Sequence, residues 1–340
     1  QCPADIAILR NRPRLFGEVA SDATVSRIID DLAAGHEAAI DAINAARAGV
    51  RAAAARLPGG ALPLSGGRLI VDIDATLVDC HSEKEWAAPT FKRGFGFHPI
   101  LAFADHGPAG SNTAADHFAV LAAALAQLDP AQRATVLVRA DSAGGTKEFT
   151  AHLAGAGLAY SVGFAGYLPY LKAAIDAVPA DAWVPALDRD GSPRDGAWVA
   201  DITGLLDLRT WPDAMRVIAR KERPHPGAQL TLTDIDGHRV TCLATSDTSD
   251  DIAAIEARHR QRARCEDRIR DAKDTGLDRM PYADAASNAI WLHIVLLAMD
   301  LTTWAQRLAL TGAWRLARPR TLRIRLLATA ARYVTAARRR

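Results

Sequence analysis

The sequence predicts an α/β protein: a mixed-sheet core, a β-rich insertion and helical extensions at both ends. Two apolar, β-branched runs that stop on carboxylates, "LIVDIDATLV" at 69–78 and "TVLVRADS" at 135–142, read as core strands. Ala-rich sequence with helical spacing surrounds them. A change of character at 183–245, to alternating segments broken by Asp-Gly turns at 190–191 and 236–237, marks the insertion.

At 340 residues and 49% hydrophobic, the chain can bury a sizeable core. Residues 1–20 lack a basic start followed by an apolar core, and no uncharged apolar run of about 18 residues stands out, so no membrane partner and a bacterial cytoplasmic, nucleoid-associated location are expected. Gln1 is not an initiator methionine, so further residues are expected ahead of it. Cys2, Cys80, Cys242 and Cys265 show no CxxC spacing, which argues against a disulfide framework and a structural zinc site. The net charge of +2 is unevenly placed: arginines crowd 258–270 and 315–340, a density that suits phosphate backbones.

In order, residues 1–66 read as a helical region capped at Ser21 or Asp22 and closed by a Gly/Pro loop. Residues 67–182 form the first part of the core: the opening strand, a hairpin-like strand at Pro99–Ala104, a helix at Ala114–Leu128, the strand ending at Asp141, a glycine-closed helix and the strand "YSVGFAG". The insertion takes 183–247. Residues 248–312 return to the core as helices that carry Glu266 and the apolar Ala289–Leu310 run, and 313–340 form a basic C-terminal helix.

Alternation sends Asp72 and Asp74 to one face of the opening strand. Such a pair serves two chemistries. The Asp-x-Asp-x-Thr strand end resembles the haloacid dehalogenase superfamily, which would make Asp72 a phosphatase nucleophile and Asp74 its acid/base, although Ala75 stands where that family has glycine. Alternatively Asp74 joins Asp141 and a downstream Glu266 in a three-carboxylate pocket for two Mg²⁺ ions, suited to in-line attack on phosphodiesters.

The surroundings of Glu266 favour the second reading. Arg262 lies four residues before it, and His259 and Lys273 lie seven residues to either side, spacings that share one helix face. A carboxylate flanked by cations can grip a metal while its neighbours hold DNA phosphates. His81 and Lys84 follow the first strand and are candidates for DNA contact. Trp86 and Trp183 are candidates for base stacking, Trp291 and Trp304 for core packing, and His98, His106 and His117 are too irregularly spaced for a metal site.

This pattern resembles the Tyr-x-x-Arg-x-x-x-Glu-x-x-x-x-x-x-Lys signature of cut-and-paste DDE transposases from bacterial insertion sequences, with His259 in place of tyrosine. Asp74-Ala75-Thr76 matches that family's first Asp motif and Arg139-Ala140-Asp141-Ser142 its second. The blocks "SNTAADH", "KERPHPGAQL" and "AKDTGL" resemble an actinobacterial branch. The resemblance implies a ribonuclease H-like core, with Asp74, Asp141 and Glu266 as catalytic metal ligands. It implies two Mg²⁺ ions, replaceable by Mn²⁺, and phosphate contacts from His259, Arg262, Lys273, His81 and Lys84. Asp72 and Thr76 become supporting residues behind the ligands. Its partners would be terminal inverted-repeat DNA and target DNA, bound by a homodimer. The family has a longer loop where Gly107-Pro108-Ala109-Gly110 joins two blocks directly here, and the His259 exchange is expected to introduce a group titrating near neutral pH. A decayed, DNA-binding remnant of such an element is the non-catalytic alternative.

Overall fold

A computed structural model describes residues 6–62, 64–90, 93–103, 109–110, 114–165, 168–224, 227 and 234–328. Its strands are β1 (Leu69–Ala75), β2 (Val78–Cys80), β3 (Ala88–Pro89), β4 (Phe95–Phe97), β5 (Ile100–Phe103), β6 (Ala109–Gly110), β7 (Val136–Ala140) and β8 (Ala159–Gly163). They continue with β9 (Val184–Leu187), β10 (Pro193–Asp201), β11 (Arg216–Glu222) and β12 (Arg239–Thr245). The fold is mixed α/β and divides into two units, one of residues 63–76 and 99–267, the other of 1–62, 77–98 and 268–340.

The first unit is built on a nine-stranded sheet in the order β6-β5-β1-β7-β8-β12-β11-β10-β9. Its centre, β1-β7-β8, is parallel, and β5 runs antiparallel along the other side of β1. Val71, Ile73, Leu137, Val138 and Val162 have no exposed surface, which is why these runs read as near-continuous apolar sequence. The strands of the β-rich block extend this same sheet, because β12 pairs with β8 from Leu243↔Gly163 to Thr245↔Ser161. The Ile252–Arg260 helix, capped by Asp251, covers that extension through a buried cluster that includes Ala197, Val199, Ile218, Leu243, Ala253 and Ile255. The chain then passes through a 3₁₀ turn at Gln261–Ala263 into the Arg264–Ala272 helix.

In the second unit the Asp22–Ala34 and His36–Ala55 helices pack on the Ala285–Trp304 helix, beside the small sheet β2-β4-β3. Ser21 caps the first of these, as its position predicted. One expectation needs correction: the helix spanning Ala285–Ala309 is long and apolar enough, by length and composition, to cross a membrane. Its interior carries Asp300, fully buried and ion-paired to Arg47 at 2.7 Å, so within this unit it packs as a core helix. Phe91, His106, Gly107 and Pro108 lie outside the described residues. So do residues 329–340 with Arg332 and Arg338–Arg340; of the basic C-terminal helix, Pro319–Leu322 and the following turn are described.

Candidate active site

The parallel register of β1 and β7 builds the site. Ile73 pairs with Ala140, so Asp74 and Asp141 follow at the same end of the β1–β7 ladder, Asp74 still paired with Leu101 of β5. Asp74 Oδ1 accepts from the Ala75 amide at 3.0 Å, and its Oδ2 accepts from Arg262 Nη1 at 3.0 Å. Asp141 Oδ1 accepts from the Ala143 and Gly144 amides at 3.0 and 3.3 Å, which folds the residues after β7 into a tight turn. That turn sits directly on β8. A Cβ at Gly163 would lie 2.6 Å from the Ser142 nitrogen, so only glycine admits this approach. Burial raises the Asp74 carboxyl above its ordinary range, the Arg262 guanidinium opposes the shift, and the charge of Asp141 adds to it.

One residue further into the sheet, Asp72 has a different task. Its two oxygens accept from Arg139 Nε and Nη2 at 2.6 and 2.7 Å, and Asp72 and Arg139 are direct partners in the β1–β7 ladder. Arg139 Nη1 also donates to the Arg258 carbonyl. A single buried guanidinium thus joins the strand of Asp74, the strand of Asp141 and the helix that precedes Arg262. With both oxygens held in a bidentate pair, Asp72 is not disposed to act as a nucleophile. Nearby, Thr245 Oγ1 donates to the Tyr160 carbonyl, and Asp247 pairs with Arg258 at 2.5 Å.

His259 contacts Ser161 of β8 through Nδ1 at 2.9 Å. Burial, reinforced by Arg262 and Arg139, holds its pKa down to about 3, so the imidazole is neutral at physiological pH. The expectation of a group titrating near neutrality is therefore corrected: tyrosine is replaced here by an uncharged ring anchored to the sheet.

Glu266 is exposed in the first turn of the Arg264–Ala272 helix, four residues past Arg262. Its neighbour Cys265 is buried, and its thiol is raised by burial and by the charges of Asp72 and Asp74, which places this turn beside the end of β1. Among the described residues, no group of three or more His, Cys, Asp or Glu side chains is arranged to hold a metal. The structure brings together Asp74, Asp141 and Arg262, with Glu266 following on the same helical segment. Thr76 is buried beside Asp74, its amide donating to the Pro99 carbonyl at 3.0 Å.

Lys273, Lys84, His81 and Trp291 lie in the other unit. Lys273 Nζ donates to the Leu77 carbonyl at 2.8 Å, and Lys84 Nζ donates to the Met280 and Tyr282 carbonyls, the latter at 2.7 Å. His81 is exposed. Trp291 packs in its helix with Nε1 donating to the Gly276 carbonyl at 3.1 Å.

The Asp74–Asp141 pair suits a hard divalent cation. Two carboxylates at one sheet end, one of them desolvated and repelled by the other, offer oxygen ligands whose mutual repulsion a cation relieves. Sequence reasoning found both aspartates and Arg262, but not Ser161, Arg220 or Glu256. Glu256 lies ten residues before Glu266 on a helix with no repeated motif to single it out.

No curated protein matches this chain. A cryo-EM structure of a piggyBac transposase synaptic complex with hairpin DNA shows 8% sequence identity and a TM-score of 0.36, over 73% of this chain and 50% of that chain. This chain thus spans half the length of that one. The family described as Transposase DDE domain group 1 matches residues 2–340. On that whole-chain match, the protein belongs to the DDE transposase family.

Proposed function

We propose that this transposase cuts the ends of its own element and joins them to target DNA at a centre formed by Asp74, Asp141 and Glu266. The reading is carried by one observation: register places Asp74 beside Asp141, and Arg262, four residues before Glu266, reaches Asp74 at 3.0 Å. An antiparallel strand on one side of β1 and two parallel strands on the other support a ribonuclease H-like layout of the core.

The three carboxylates would hold two Mg²⁺ ions, or Mn²⁺ in their place. Those ions would supply Lewis-acid polarisation and charge neutralisation at the phosphoryl centre. The chain's own residues do the positioning. Arg139 and Asp72 keep the two aspartate-bearing strands in register, and Arg262 presents a guanidinium to the carboxylates and to an incoming phosphate. Lys273, Lys84 and His81, all in the other unit, would supply further cationic contacts to DNA phosphates. Water opens one strand, and the freed 3′-hydroxyl then attacks the target. Inverted-repeat and target DNA are the partners, a homodimer is the acting assembly, and the bacterial nucleoid is its location.

Metal-dependent nicking of an end-bearing duplex tests the reading. Asp74→Ala, Asp141→Ala and Glu266→Ala should each abolish nicking while leaving DNA binding in place. Full nicking by Glu266→Ala, or DNA binding by the wild type with no metal-dependent cleavage, would overturn it, the latter in favour of a remnant.

A further inference from the structure

Along the β-rich extension, one arginine after another is matched to a carboxylate. Arg194 pairs with Asp188 at 2.9 Å and Glu222 at 2.5 Å, Arg220 with Glu222 at 3.2 Å and Glu256 at 3.5 Å, and Arg260 with Glu256 at 3.2 Å. Arg189 and Arg264 break the pattern. Both are exposed, and among the described residues neither has an ion pair or a side-chain hydrogen bond. Arg189 stands in the turn between β9 and β10, and Arg264 opens the helix that carries Glu266. They face one space: an open cavity of about 200 Å³ is lined by Asp188, Arg189, Arg260, Gln261 and Arg264 among others.

The wall chemistry selects the ligand. Arg194 holds the Asp188 carboxylate and Glu256 holds Arg260, so the charges of Arg189 and Arg264 are left over. Two like charges turned into one concavity repel each other, and an anion between them removes the repulsion. Guanidinium forks match the oxygens of a phosphate, and the Gln261 amide adds a donor beside them. On the same scale a water needs roughly 10–15 Å³, so the space admits a hydrated phosphate. A divalent cation would meet the guanidiniums with like charge. The cavity shares Arg260 and Ala263 with a second one lined by Asp141 and Arg262, yet neither strand-end aspartate forms part of its wall. DNA carries a phosphate every 3.4 Å or so along each strand, so a duplex at the carboxylates brings others past this site.

We propose that Arg189, Arg264 and Gln261 hold a backbone phosphate that does not react, so that the β-rich block and the helix of Glu266 grip the DNA together. The proposal rests on the transposase reading above for its ligand.

The affinity of the full chain for a fluorescent duplex of mixed sequence, measured by anisotropy across a range of salt, tests it. Mixed sequence suffices because phosphate contacts carry no base information. Arg189→Gln and Arg264→Gln should each weaken binding about tenfold and lower the salt slope by about one. In the double variant the second substitution should cost less than it does alone, because both arginines hold the same group. Both side chains are exposed, so folding is not at stake. Gln261→Glu sets a carboxylate among the guanidiniums and should weaken binding at least as much as either single variant. Unchanged affinity in both single variants, or fully additive losses, would overturn the proposal. So would tight binding of inorganic phosphate alone, or of a polyglutamate peptide, that the same substitutions abolish, since the site would then serve a free anion or an acidic partner. Unchanged affinity alongside intact metal-dependent nicking would sink this site and leave the transposase reading standing; coupled losses with no such nicking by the wild type would do the reverse.

Discussion

Asp72 and Asp74 stand two residues apart on one strand, and each meets an arginine, yet the two pairs do opposite things. Asp72 and Arg139 are locked by two short bonds inside the β1–β7 ladder, with side chains 12% and 5% exposed. Asp74 and Arg262 share one bond at the strand end, and Arg262 arrives from a helix far along the chain. The inner pair fixes geometry, while the outer pair leaves a cation and a carboxylate able to trade partners. The number of bonds and the place in the ladder separate the two pairs; residue type and carboxylate exposure, 12% at Asp72 and 11% at Asp74, do not.

The largest effect should come from breaking the inner pair. Arg139→Met leaves the buried Asp72 without its partner and should cost about 3–5 kcal/mol in urea unfolding. A loss as small as that of a surface pair would show that Arg139 does not pin the two strands. Arg262→Met, in contrast, should lower nicking about a hundredfold or more, since an electrostatic group at the reacting centre is worth several kcal/mol in the reaction, and should cost less stability than Arg139→Met because it removes one bond to Asp74 rather than two to Asp72. Equal losses of stability in both variants would collapse the distinction.

His259 sharpens the comparison by pH. Its folded pKa of about 3 lies below the roughly 6.5 of an unfolded histidine, so the unfolded chain takes up the proton first. The stability it confers is fully present above about pH 6.5 and drains away as pH falls toward about 3. His259→Tyr should flatten that part of the stability profile; an unchanged profile would mean that the imidazole is not held neutral. Asp74 has the opposite sign. Its raised carboxyl makes ionisation unfavourable in the folded state, so its contribution is present at low pH and is lost as pH rises through the folded pKa. Asp74→Asn should therefore gain stability over the wild type with rising pH while losing nicking. Smallest of all, Ser161→Ala removes one hydrogen bond to His259 and should cost about 1 kcal/mol.

Much of the site was legible in the chain itself. Strands that end in carboxylates, and a helix with cations at spacings of four and seven around Glu266, are local patterns, and β-branched runs announce a parallel core wherever they occur. Less legible was the fate of individual cations. Lys84 and Lys273 each donate to backbone carbonyls brought close only by folding, an anchoring that no local pattern announces and that leaves ammonium donors for the phosphate contacts proposed above. The apolar helix expected at Ala289–Leu310 starts four residues earlier, at Ala285 behind the cap Asp284, and the partner of its buried Asp300, Arg47, lies 253 residues away.

By itself, then, the sequence determined the α/β class, the two strand-terminal aspartates and the Arg262–Glu266 spacing, all set by interactions within a few residues. Tertiary structure decided the rest: that Asp72 is locked by Arg139 while Asp74 meets Arg262, that His259 is neutral, that β9–β12 extend the core sheet, and that Glu256 is buried against Arg220 and Arg260. Those properties depend on burial and on partners distant in the chain. Desolvation and long-range pairing are fixed only when the strands and helices close on one another.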